Sequence, residues 1–106
     1  MTEITYTNTK DSTEIHASGH AGEMGACAKI SCLLQTLSDE MYEMLGEHNP
    51  ALMIENTPGY SFIRVYFKNI GIVNEHDVKL LFETTVRGLH IVMNQFEESL
   101  TIKVQE

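Results

Sequence analysis

A thiol and an imidazole stand close together in one short stretch, Ser18-Gly19-His20-Ala21-Gly22-Glu23-Met24-Gly25-Ala26-Cys27-Ala28-Lys29-Ile30-Ser31. Cysteine is a nucleophile as its thiolate, and histidine is the side chain best suited to take up and return a proton near neutral pH. The residues between His20 and Cys27 are mostly Gly and Ala, so the backbone bends sharply there and leaves room for a ligand. Cys27 falls where a long helix is predicted to begin, and the positive end of a helix dipole favours thiolate over thiol. With the loop folding His20 back onto the sulfur, the pattern is that of a Cys/His nucleophile pair. The amides of Ala28 and Lys29, read as unpaired donors of the helix start, are the candidate oxyanion site.

The remaining cysteine and histidines give weaker signals. Cys32 lies beside Leu33 and Leu34 and reads as core packing, so Cys32→Ser is expected to cost about 1–3 kcal/mol. Cys27 and Cys32 project about 140° apart around a helix of 3.6 residues per turn, too divergent to bridge. Both are expected to be reduced, in a cytoplasmic protein. His16, His20 and Cys27 lack the paired Cys-x-x-Cys spacing of a zinc site, and no metal is assigned. His48, His76 and His90 read as surface or capping residues.

The elements that must position this stretch follow from periodicity. Ile4-Thr5-Tyr6-Thr7 is β-branched and aromatic, and Thr13 to Ala17 alternates polar with apolar, so the two form a hairpin across Asn8 to Asp11. From Cys27 the period becomes helical: Ile30, Leu33, Leu34, Leu37, Met41, Met44 and Leu45 form one stripe, ended by Gly46 and Asn49-Pro50. That Met and Leu stripe is core and implies no cofactor. Leu52-Met53-Ile54 and Tyr60 to Phe67 flank the turn Asn56-Thr57-Pro58-Gly59, a second hairpin. Asn74 is the expected N-cap of a second helix, with Val78, Leu81, Phe82, Thr85, Leu89, Val92, Met93 and Phe96 on its buried face. Gly88 beside that face suits close approach to the sheet or to the other helix. Thr101 to Val104 is a last strand. The expected fold is α+β, order β-β-α-β-β-α-β: one mixed, mainly antiparallel sheet with two helices on one face.

Composition narrows the function classes. The chain of 106 residues, 42% of them hydrophobic, supports one core and one domain. A formal net charge of −8 without Lys/Arg clusters argues against a nucleic-acid partner. No apolar run reaches the roughly 18 residues of a membrane span, and Met1 to Tyr6 lacks the marks of a signal peptide.

Taken together, these segments resemble the ribosomal-processing cysteine proteases called Prp. The resemblance is carried by Ser18-Gly19-His20-Ala21, by Cys27-Ala28-Lys29-Ile30-Ser31 and by Gln35-Thr36-Leu37. It continues through Pro58-Gly59-Tyr60 and Gly88-Leu89 to the final strand. It implies a homodimeric protease that removes a short N-terminal extension from a large-subunit ribosomal protein, with no cofactor. Cys27 would be the nucleophile and His20 its acid/base partner. Ser31 would line the substrate groove, and Gly22 and Gly25 would lie in a flexible flap over the substrate. Two features depart from the family pattern: the His-to-Cys loop is several residues shorter, and Met24-Gly25-Ala26 replaces a segment with Asp before the Cys. Glu23 is the nearest carboxylate. The rival reading is a repurposed member, a dimeric peptide- or protein-binding module without catalysis.

Overall fold

The computed structural model describes all 106 residues. Strands β1 (Thr2–Asn8) and β2 (Ser12–Ser18) precede helix α1 (Met24–Leu45). Strands β3 (Leu52–Thr57) and β4 (Tyr60–Tyr66) precede helix α2 (Ile72–Gln95), and β5 (Leu100–Gln105) closes the chain. The expected α+β order is therefore the observed one. All five strands form one sheet in the order β3-β4-β2-β1-β5. Every neighbouring pair is antiparallel except β1 with β5, which is parallel.

One sheet face is buried and the other is not. Ile4, Tyr6, Ile15, Ala17, Ile63 and Val65 alternate inward along β1, β2 and β4 and pack under the helices. From α1, the inner face comprises Ala26, Ile30, Leu34, Leu37, Ser38 and Met41; from α2, Val78, Phe82, Thr85, Val86, Leu89 and Val92. The helices also pack on each other, and Gly88 is a point of close approach between them. A Cβ there would stand 2.8 Å from the Leu33 Cδ2 atom, which selects the helix–helix alternative for this residue. On the uncovered face the Arg64 guanidinium lies over Tyr66 at 4.5 Å and over Phe62 at 5.5 Å.

Both helix starts differ from expectation. α1 begins at Met24, with Glu23 in extended conformation as N-cap and no side-chain cap bond. α2 begins at Ile72 after Gly71, so Asn74 is already inside the helix. Its amide instead donates backward to the Ile70 carbonyl at 2.9 Å, the local alternative that an Asn side chain offers to forward capping.

Two buried hydroxyls lack partners, those of Tyr6 and Thr13. Burial pushes the Tyr6 phenol above its usual value of 10.0; the adjacent Thr13 hydroxyl opposes this, and Glu83 and Glu106 add to the rise. The folded state thus holds this proton more tightly than the unfolded chain. The corresponding stability is complete below about pH 10, the unfolded value, and is lost as pH rises through the folded one. Tyr6→Phe is expected to flatten that alkaline loss while leaving neutral-pH stability close to wild type. Urea titrations at pH 7 and above pH 10 check it, and equal alkaline slopes in both proteins would refute it.

Candidate active site

Strand β2 ends where the chemistry begins. Its ladder with β4 runs from Ser12 opposite Tyr66 to Ser18 opposite Tyr60. One further bond, from the Gly19 N–H to the Gly59 carbonyl at 2.9 Å, extends it beyond the last paired residue. Gly19 then turns with φ +93°, and a Cβ on it would collide with the Met1 carbonyl oxygen. Only glycine fits both demands. His20 follows directly, released from the sheet but tethered at its preceding residue.

Cys27 comes to the same place from the helix side. Its N–H closes the first turn of α1 onto the Glu23 carbonyl at 3.0 Å. The thiol is half-buried and donates to the Ala21 carbonyl at 3.1 Å. His20, Cys27 and Ser31 line one cavity of about 430 Å³. Ile30 and Leu34 contribute from α1 and the β3–β4 turn from the opposite wall. Apart from His20, no titratable acid or base of Asp, Glu, Lys or Arg type lines it. No hydrogen bond joins the Cys27 thiol to the His20 ring; the thiol donates to the Ala21 carbonyl instead. Enzyme sites commonly hold a candidate nucleophile and base this loosely and tighten only in complex with substrate. His20 also has no carboxylate partner, since the ion pairs of the chain are His76 with Asp77 and Lys79 with Glu75.

Four expected site residues take other positions. Because α1 starts at Met24, its unpaired first-turn donors belong to Met24, Gly25 and Ala26. Ala28 and Lys29 lie past the first closed turn, where N–H groups bond within the helix, which removes them as oxyanion donors. Lys29 instead reaches Gln95 Oε1 at 2.7 Å and sits 5.3 Å from the centre of the Phe96 ring. Gly25 also faces Phe96: a Cβ on it would lie 3.2 Å from the ring edge. Gly22 is exposed with open space around it, and neither glycine lines the cavity.

The cysteine comparison also changes. Cys32 is exposed, whereas Cys27 is half-buried, so Cys32 is not a core residue. Consecutive helical residues do not share a face, and its neighbour Leu34 is the one that points inward. His16, on the uncovered sheet face, meets the Tyr60 ring edge-on at 5.1 Å and Phe62 at 6.2 Å. No cluster of three metal-type ligands forms anywhere in the structure.

Sequence reasoning missed the second wall of the cavity. Asn56, Thr57, Pro58, Gly59, Tyr60 and Ser61 line it, together with Gln35 and Thr2. Asn56 is tied to the core: its amide donates to the buried Ser38 hydroxyl at 3.4 Å, and Ser38 donates to Leu34 O at 2.9 Å. The Pro-Gly turn signal was visible in the sequence, but only the β2–β4 pairing brings it against His20.

No protein-family model and no curated protein matches the chain. Solved structures do. The essential ribosomal processing protease Prp from S. aureus, in complex with a substrate peptide, superposes with a TM-score of 0.76 at 19% identity, covering 99% of this chain and 100% of that one. The same protease with a covalently linked product peptide gives 0.73 at 18% identity, with coverage of 99% and 100%. SMU.848 from Streptococcus mutans gives 0.69 at 24% identity, covering 99% and 94%. Over nearly its whole length the chain has the fold of these structures.

Proposed function

We propose that this chain is a divergent Prp-type cysteine protease that removes an N-terminal extension from a large-subunit ribosomal protein. The observation that carries the reading is the convergence of His20, Cys27 and Ser31 on one cavity, within a fold shared with a protease solved with substrate and product peptides. An open groove with almost no charge on its walls suits an extended peptide. No helix is long and apolar enough to cross a membrane. The resemblance to Prp supports reading the enzyme as a cytoplasmic homodimer.

The chemistry needs few parts. The Cys27 thiol first leaves the Ala21 carbonyl, since a thiolate facing that oxygen would have no proton to share with it. His20 takes the proton, and the sulfur attacks the scissile carbonyl. Collapse of the tetrahedral adduct expels the amine, which takes the proton from His20, and leaves a thioester on Cys27. Water, deprotonated by His20, then hydrolyses the thioester and restores the thiol.

The rival reading, a peptide-binding module, draws on the missing His–Cys hydrogen bond and the shortened loop. One experiment separates the two. Incubation with the ribosomal protein carrying its N-terminal extension, followed by mass spectrometry, is expected to give a single cut that Cys27→Ala abolishes. Tight binding of the intact extension without any cut would favour the module.

A further inference from the structure

His20 lacks the carboxylate that usually orients a catalytic imidazole, and the structure offers a different device. Thr57 and Tyr60 are the last paired residues of the β3–β4 hairpin, leaving Pro58-Gly59 as a two-residue turn. Gly59 has φ +77°, while Pro58 is held at negative φ by its ring. That combination is a type II turn. Two-residue hairpins strongly prefer types I′ and II′, because type II opposes the right-handed twist of the strands. This turn is therefore a poor choice for hairpin stability alone.

It lies directly against the imidazole. A Cβ on Gly59 would stand 2.9 Å from His20 Nε2 and 3.2 Å from Cε1. The Gly59 carbonyl also accepts the N–H of Gly19, the residue before His20. The same glycine thus fixes the backbone leading into His20 and forms the floor under its ring. We propose that the Pro58-Gly59 turn is the positioning element of His20, standing where a third, carboxylate member of the site would otherwise orient it. The proposal rests on His20 being the acid/base partner of Cys27. In that role the bare Gly59 backbone lets the ring turn from its resting place toward the thiol, while blocking displacement past the turn.

The test uses a Cys32→Ser background, so that Cys27 is the only thiol. Gly59→Ala is compared with Gly46→Ala. Both place alanine at strongly positive φ, but a Cβ on Gly46 meets nothing within 4 Å. Two readouts are taken: the imidazole nitrogen resonances of His20, and the pH profile of Cys27 alkylation by iodoacetamide. Gly59→Ala is expected to move the His20 signals and slow alkylation at neutral pH by about 10- to 10²-fold, the scale of a small misplacement of a reacting group. Gly46→Ala should change neither. Pro58→Asn, which permits a type I′ turn, is expected to hold or raise the melting temperature while also moving the His20 signals. It keeps the test decisive should Gly59→Ala fail to fold. His20 resonances unmoved in Gly59→Ala or Pro58→Asn would overturn the proposal. If His20→Ala leaves Cys27 alkylation unchanged, the acid/base reading fails instead, and the ring signals alone decide the positioning.

Discussion

Phe82→Ala is expected to remove about 3–5 kcal/mol of folding stability, the largest single loss available in this core. Phe82 is fully buried and has the largest side chain among the completely inaccessible residues. It projects from the buried face of α2 into one continuous core shared with α1 and the sheet. Truncation removes the ring's transfer energy and leaves a cavity that rigid neighbours fill only in part. Small domains hold roughly 5–15 kcal/mol in total, so the variant would sit near the edge of folding. Urea unfolding should show a lower midpoint with an unchanged slope. A loss under about 1 kcal/mol would mean that α2 is not seated on the sheet as described.

Phe82 also shows why the fold was legible. It falls on a strict helical stripe, and the inward residues of β4 alternate just as strictly; each periodicity is set by local geometry and survives any tertiary arrangement. Features that depend on pairing between distant segments were not legible. The parallel union of β1 with β5, and the insertion of β2 between β1 and β4, leave no trace in the local pattern. Helix starts were misplaced because Glu23 and Gly71 carry no capping side chain, whereas Asn74, a good cap by type, bonds backward to Ile70.

The site divides along the same line. His20, Cys27 and Ser31 share one stretch of chain, so their types and spacing pointed to one place. Gly59 belongs to another hairpin and reaches His20 only through the pairing of Ser18 with Tyr60. Ala28 and Lys29 follow from a helix start at Cys27, whereas α1 begins at Met24; the earlier start is hard to read because Met24-Gly25-Ala26 carries little of the apolar stripe. Cys32 was misjudged from its sequence neighbours, although adjacent residues on a helix point about 100° apart.

Cys27→Ser is expected to abolish peptide cleavage, by on the order of 10³- to 10⁶-fold, while the melting curve stays close to wild type. Activity should fall because a serine hydroxyl stays protonated at neutral pH, and nothing in this cavity beyond His20 would activate it. The fold should survive because the hydroxyl can keep the one polar contact of the thiol, donation to the Ala21 carbonyl. The residue is only half-buried besides. Cys32→Ser supplies the contrast. Its exposure replaces the expected 1–3 kcal/mol loss with a change within about 0.5 kcal/mol, and turnover should be untouched. Exposure also sharpens the chemical comparison, since accessibility alone would make iodoacetamide react first at Cys32. Preferential labelling of Cys27 at pH 6.5 would have to arise from its place at the start of α1 and from His20, the features on which the proposed catalysis rests. Preferential labelling of Cys32, with peptide still cut by Cys27→Ser, would remove Cys27 from the chemistry altogether. Stable folding of the wild type and of both variants, with no substrate ever cut, would leave the cavity as a binding groove, and the fold as a scaffold without its protease.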